Sequence, residues 1–474
     1  MAAPLLTPFP AEAIMAARRV VEQASACSSR SPARRTMKNK PGIERVSRPD
    51  NTVLVDDRCL YRGGTGVSMY LRNLLRCWAA GSGVEMVGLC THHLLRKGDW
   101  PGPGVAARAG LALKPLRDLS PPRPRAPLRA RRVVQKAYGA LLAAVFRSRR
   151  YACHFQPNYL AVPCGGCCVS AVHDLSVLEH PEWHPADRVK WWEADLARSV
   201  AATDHWIVPS HFTRKRMVEI LDVPSENITV IPYAARPLPY SEPSSAAARK
   251  AEAGLPDRYL LHLGTLEPRK NLAMLLDAYA RLSPSLRRRC PLILAGRPGW
   301  GARPYWRGLL GHPLANEVLT TGYVGDEAAA LLLAGAAATV VPSLYEGFGL
   351  PVLESMACGT PVICSTAEAC VEVAADAAEM VAPCDEDAWA RAMERCITEE
   401  DWARQHVEAG RARQARFSWH RTAKRHADCL AWVLGRRVPV TALAKTKQRE
   451  QRGHSLPGRR ARMSGTPPIR PSPC

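Results

Sequence analysis

Short apolar runs that end in a glycine or a polar pair, each followed by a helical stretch, recur along this chain and confine it to an alternating α/β architecture. Thr52 to Asp56 leads into Gly63-Gly-Thr-Gly66 and then into Val67, Tyr70, Leu71, Leu74 and Leu75 at helical spacing. Glu85 to Cys90 reads as the next strand. Val169 to Val172 is another and ends at His173-Asp174, while Trp206 to Val208 ends at Pro209-Ser210-His211 and Ile228 to Ile231 closes the first half. The pattern restarts after residues 236–256, a Pro-, Ser- and Ala-rich linker. Its strands are Tyr259 to Leu263, Pro291 to Ala295, Ala338 to Val341, Pro361 to Cys364 and, more weakly, Glu379 to Val381. Two doubly wound halves imply a cleft between them, and ligands of such folds sit at the carboxyl ends of the strands. The conspicuous polar motifs of this chain all fall at such ends.

Length and composition bound the rest. A chain of 474 residues holds two or three domains at roughly 100–200 residues each. Its apolar content of 47% supports sizeable cores. The formal charge of +22 is uneven, with Arg and Lys concentrated in the first fifty residues, in Arg117 to Arg150 and after Gly435. Such patches attract polyanions, whether nucleic acid, anionic lipid heads or nucleotide phosphates, and the charge alone does not choose among them. Residues 101–135 are Pro- and Arg-rich without periodicity and read as a loop or exposed arm. Residues 1–50 are set aside as a disordered or leader segment, with Met37 a candidate start, and 436–474 as a basic disordered tail. No apolar run reaches the roughly 18 residues of a membrane span. The sixteen cysteines are scattered, as in a reducing compartment. Cys164, Cys167 and Cys168 cluster with Cys153 and His154, but no second pair stands at finger spacing, so no metal site is expected.

The richest segment runs from Pro342 to Pro361. It opens at a strand end. Gly347 and Gly349 flank Phe348 and let the backbone turn tightly and approach a ligand, and Leu350-Pro351 begins a helix. The free N–H groups of that first turn suit a diphosphate. Glu346 precedes the turn and Glu354 lies one turn into the helix; a carboxylate accepts well from a sugar diol. Asp385-Glu-Asp387 resembles a metal-binding triplet, but its place in the pattern is that of a helix N-cap.

This segment resembles the Glu-x7-Glu motif of the glycosyltransferase family 4 enzymes, and the resemblance extends from about Thr52 to Leu434. Val55-Asp-Asp-Arg58 with the glycine loop, His173-Asp-Leu-Ser176 with His180-Pro-Glu182, Pro209 to Arg214, Leu263 to Leu272 and Gly322-Tyr-Val are similar to family motifs in the family's order. One departure stands out: Val371 replaces the usual proline before Glu372-Val373. The resemblance implies the GT-B fold. An acceptor-side Rossmann-like domain would span 51–235 and a donor-binding domain 236–416, with a helix over 417–435 crossing back.

It also implies roles. Arg269 and Lys270 would neutralise the donor diphosphate, Glu354 would bind the ribose, Glu346 the transferred sugar, and His173 would face the reacting carbon. Gly347, Phe348, Gly349 and Leu350 would form the donor turn, Gly64 and Gly66 would let backbone approach the donor or acceptor, and Asn271 would cap the following helix. The implied function is retaining transfer of a sugar from a nucleotide-sugar to a glycan or lipid-diphosphate-linked acceptor in cell-surface polysaccharide synthesis. No obligatory metal or cofactor is implied. Mannose from GDP-mannose leads, with a UDP-linked or other GDP-linked sugar behind it. The location would be cytoplasmic, with the basic arm contacting the inner, anionic face of the membrane. Two alternatives explain parts of the pattern: a sugar-nucleotide epimerase of the same fold, and a basic nucleic-acid-binding protein. The latter accounts for the charge, but the aromatic content of 6% shows no stacking platform, so no specific nucleic-acid partner is expected.

Overall fold

The computed structural model describes residues 52–62, 66–78, 84–90, 93–95, 112–120, 139–146, 151–159, 161, 166–237, 250–300 and 303–437. In chain order the strands are β1 Thr52–Val55, β2 Glu85–Cys90, β3 His93–Leu95, β4 Lys114–Pro115, β5 Cys153–Gln156, β6 Cys167–Ala171, β7 His205–Val208 and β8 Ile228–Val230. They continue with β9 Leu260–Leu263, β10 Leu292–Ala295, β11 Leu319–Gly322, β12 Ala338–Val341, β13 Val362–Ser365 and β14 Glu379–Val381. Two sheets result, ordered β3-β2-β1-β5-β6-β7-β8 and β14-β13-β12-β9-β10-β11-β4. All pairings are parallel except β2 with β3 and β11 with β4. In each sheet the strand order reverses beside the first strand, between β1 and β5 and between β9 and β12. These are the switch points where a doubly wound fold opens a crevice.

The strands are short because both faces are covered. Val53, Leu54 and Val55 are fully buried, as are Leu292 to Ala295; unbroken apolar runs of this kind suit a parallel sheet packed on both sides. The helix His211–Leu221 starts where Ser210 accepts from the Thr213 backbone N–H at 3.0 Å, and Asp385 caps Glu386–Thr398 through the Ala388 N–H at 2.9 Å. The last helix, Trp419–Arg437, packs on the first half. Trp419 Nε1 donates to the Ala235 carbonyl at 2.8 Å, Thr422 Oγ1 to that of Pro232 at 2.8 Å, and Tyr70 bonds His426 at 2.7 Å. No helix among the described residues is long and apolar enough to cross a membrane.

The structure departs from the sequence-based expectations in three places. First, β5 and β11 are strands that the hydropathy pattern does not announce. β5 reads Cys-His-Phe-Gln yet is wholly buried beside β1, because a central strand needs covered faces rather than uniformly apolar side chains. Second, the cysteine cluster is a strand pair. Cys153 lies opposite Cys167 and His154 opposite Cys168, and strand alternation sends Cys153 and His154 to opposite faces of the sheet. Cys153 and Cys167 join the apolar core, and Cys164 lies outside the described residues. Third, part of the expected arm is packed. Lys114–Pro115 pairs antiparallel with β11 of the second sheet, and Leu116, fully buried, joins the core of that half. Leu142 and Phe146 are buried as well.

Candidate functional site

The site grows from the carboxyl ends of β9 and β12. Past β9, Pro268–Lys270 forms a single tight turn, and Lys270 is buried. Past β12, Ser343 to Gly349 leads into the helix Leu350–Ala357, which has a proline in its first turn. Gly349, at φ 107°, sits in the left-handed region that side chains avoid, so the turn into the helix demands glycine there. At Gly347 the demand is steric: a Cβ would stand 1.7 Å from the His173 carbonyl oxygen. The two halves therefore meet backbone to backbone at this glycine. Ser210 Oγ and Thr213 Oγ1 of the first half both donate to the Gly347 carbonyl, at 2.6 and 3.0 Å.

The charged residues of the second half are joined to one another. Lys270 Nζ bonds Glu346 Oε1, which also accepts from Ser343 Oγ at 2.7 Å, and Arg269 Nη1 donates to Glu346 Oε2 at 2.8 Å. Arg269 also pairs with Glu267. Burial alone would raise the Glu346 pKa, but the adjacent Lys270 and Arg269 charges hold it far below the usual carboxylate range. The family resemblance implies a phosphate for Arg269 and Lys270 and a sugar for Glu346; here the three are one ion cluster. Glu354, a turn further on, is 1% exposed. Both its oxygens accept from Arg236, at 2.6 Å from Nε and 2.9 Å from Nη2, and Arg236 Nη1 reaches Asp326 at 2.9 Å.

The first half presents a face that is neutral at its centre, beside the Asp174 carboxylate. His173 is partly exposed at the end of β6. Its Nε2 donates to the Pro157 carbonyl at 2.7 Å, so Nδ1 is the lone pair that accepts from the Tyr233 hydroxyl at 2.6 Å. Enclosure by protein lowers its pKa to about 4, against the smaller opposing effects of the Pro157 bond and of Asp174, so the imidazole stays neutral. Tyr70, Tyr159 and Tyr233 pack around its ring. Asp174 accepts from Tyr159 Oη at 3.1 Å, from the Ser176 N–H at 3.0 Å and from Ser176 Oγ at 2.7 Å. Burial would raise its pKa, but Arg269 from the opposite half, the Ser176 bonds and Arg188 bring it below the ordinary value. Tyr345 of the glycine turn reaches back across the cleft to Glu179 at 2.7 Å.

The structure thus gathers His173, Arg269, Lys270, Glu346, Gly347, Phe348, Gly349 and Leu350 around one cleft, with Glu354 a turn deeper. Phe348 packs on Tyr233. Gly66 begins the helix Gly66–Arg76 with open space around it, and Gly64 lies outside the described residues. Asn271 stands at the N-cap position, but its side chain makes no cap; its amide donates to the Pro383 carbonyl at 2.7 Å. Glu372 ties the halves together. Its carboxylate caps the helix His211–Leu221 through the His211 and Phe212 N–H groups, at 2.9 and 3.2 Å. Sequence reasoning gives no role to Asp174, Tyr233 or Arg236. The last two belong to Ile231-Pro-Tyr-Ala-Ala-Arg236, a strand end of the same kind as the others but without glycine to mark it. Among the described residues no group of three or more His, Cys, Asp or Glu is placed to hold a metal ion.

Two facing doubly wound halves with a glycine turn at the start of a helix define the GT-B architecture. Residues 64–234 match the family model "Glycosyltransferase Family 4" and residues 245–413 match "Glycosyl transferases group 1". The chain belongs to glycosyltransferase family 4. It is 34% identical over 253 residues to O-antigen chain mannosyltransferase B of Escherichia coli, covering 53% of this chain and 66% of that one. It is 32% identical over 234 residues to serotype-specific mannosyltransferase WbdA of Escherichia coli, covering 49% of this chain but only 28% of that longer protein. Among solved structures, a sucrose-phosphate synthase from Thermosynechococcus elongatus superposes with a TM-score of 0.61 at 20% identity, over 81% of this chain and 99% of that one.

Proposed function

We propose that this chain is a retaining glycosyltransferase that moves mannose from a nucleotide-sugar, GDP-mannose first, to a glycan or lipid-diphosphate-linked acceptor in cell-surface polysaccharide synthesis. The observation that carries the reading is the cationic pair Arg269 and Lys270, buried at the mouth of the turn that opens the helix Leu350–Ala357. A donor diphosphate placed there meets two charges and the free N–H groups of a helix start. Donor binding exchanges the internal partner Glu346 for phosphate oxygens and leaves the carboxylate to the hydroxyls of the transferred sugar. The names of the two mannosyltransferase relatives support mannose as the sugar.

The acceptor hydroxyl attacks from the face on which the nucleotide leaves, and the departing phosphate takes its proton. Arg269, Lys270 and the helix start stabilise the charge growing on that phosphate. Charge neutralisation by these groups requires no metal. His173, neutral and with both ring nitrogens held by Pro157 and Tyr233, stands beside the sugar without a charge of its own. The protein works on the cytoplasmic face of a membrane, where its excess positive charge favours anionic lipid.

The test is a thermal-shift panel of GDP- and UDP-sugars on the wild-type protein and on Glu354→Ala. Stabilisation by GDP-mannose that weakens in the variant is expected. Failure of every nucleotide-sugar to stabilise the wild type overturns the reading. Conversion of the donor without acceptor would instead mark an epimerase.

A further inference from the structure

Glu354 is placed to receive a ribose, yet in this structure it is closed off by another side chain. Arg236 lies at the start of the segment that links the two halves, and its guanidinium bonds both oxygens of Glu354. The outer arm of the same guanidinium is held by Asp326, at the start of the helix Asp326–Gly335. The carboxylate is 2% exposed and Arg236 22% exposed, so Arg236 forms the solvent-side cover of Glu354. A diol that bonds Glu354 has to displace it.

We propose that Arg236 sets the affinity of the donor site: it is a resident cation that occupies Glu354 until a vicinal ribose diol replaces it. The inference rests on the donor reading of Glu354 given above. Its chemistry is a plain exchange. Two charge-assisted hydrogen bonds from a guanidinium give way to two from the 2′- and 3′-hydroxyls, and Arg236 turns away from Glu354. Every ligand of Glu354 meets the same displacement cost, so Arg236 leaves the preference for a complete ribose to Glu354 itself. It lowers apparent affinity, because only the fraction of molecules with Arg236 turned away is competent to bind.

Isothermal titration with GDP and with 2′-deoxy-GDP separates the alternatives. The proteins compared are the wild type, Arg236→Met, which keeps the apolar length of the side chain, and Asp326→Asn, which loosens Arg236 without touching Glu354. Arg236→Met is expected to bind GDP about tenfold more tightly than the wild type, and Asp326→Asn about threefold. The wild type and Arg236→Met should prefer GDP over the deoxy form by the same factor. Far-ultraviolet circular dichroism checks that each variant is folded; if Arg236→Met does not fold, the Asp326→Asn result decides. Unchanged or weaker GDP binding in the folded variants, with GDP still preferred over its deoxy form, sinks the role of Arg236 while leaving Glu354 as the ribose site. Equal affinity of the wild type for GDP and 2′-deoxy-GDP overturns both this inference and the ribose assignment on which it rests.

Discussion

The two faces of the cleft solve opposite problems. The face built on β9 and β12 is ionic. Lys270, Arg269 and Glu346 are bonded in one group there, and Glu354 and Arg236 in another. The face built on β6 and the strand end at Tyr233 is polar but uncharged at its centre, with a neutral histidine fixed among three tyrosines. A polyanionic diphosphate is favoured by the first and has little to gain from the second. A neutral sugar loses little beside the second, where tyrosine rings supply apolar flanks. One fold, used twice, is thus given two chemistries by the residues at its strand ends.

The sharpest way to break this comparison is to remove charge from the ionic face. Lys270→Ala should lower kcat/KM for the nucleotide-sugar by on the order of 10²–10³, the usual effect of losing one transition-state donor. It should also destabilise the fold, since buried Glu346 loses one of its two cationic partners. A steady-state assay with an intact Tyr233→Phe control checks it. That control, on the uncharged face, should cost roughly one hydrogen bond, on the order of 1 kcal/mol. Equal losses in the two variants would count against the division of labour.

Acid titration probes the buried histidines, His173 of the uncharged side among them. Burial pushes His173, His262 and His426 down to about 4 from an ordinary 6.5. A depressed histidine contributes stability that is fully present above 6.5 and is lost as the pH falls toward 4, because the unfolded chain takes up the proton first. Urea unfolding should therefore give a constant contribution from these groups between pH 7 and 8. A decline is expected between about 6.5 and 4, approaching roughly 1.4 kcal/mol per pH unit for each group. Glu346, held far below the carboxylate range, adds its own decline only below about pH 5, where the unfolded carboxylate begins to take up a proton. A flat stability profile down to pH 4.5 would contradict the neutral reading of His173.

The contact between the faces can be broken as well. Gly347→Ala places a methyl 1.7 Å from the His173 carbonyl oxygen; overpacking of this kind typically costs about 1–3 kcal/mol. Scanning calorimetry should show a lowered melting temperature together with reduced activity. A smaller effect is expected from Glu372→Gln, which weakens a charged cap on the helix His211–Leu221 and should cost about 1 kcal/mol. Unchanged denaturant stability in Glu372→Gln would mean that this tie between the halves carries no weight.

Much of the site is legible in the amino-acid sequence. The glycines at 347 and 349, the proline at 351 and the acids at 346 and 354 are local signals, since each fixes a backbone turn or a charge within a few residues. The strand ends at His173 and at Arg269-Lys270 are legible for the same reason. What stays hidden depends on distance along the chain. Cys153 to Gln156 has the composition of a polar loop and becomes a central strand only because β1 and β6 flank it. Lys114 to Leu116 belongs by sequence to the first half and joins the sheet of the second.

By itself the sequence determined the architecture, the location of the cleft and the side chains with the chemistry for a donor, because alternation of apolar runs and turn residues is written locally. Tertiary structure alone decided how those side chains are engaged. Glu346 is tied to Arg269 and Lys270 from 76 or more residues away, and Glu354 to Arg236 from 118. A charge announces itself in a sequence, but its partner is chosen by folding, which brings distant strand ends together and excludes the water that would otherwise have served each group alone.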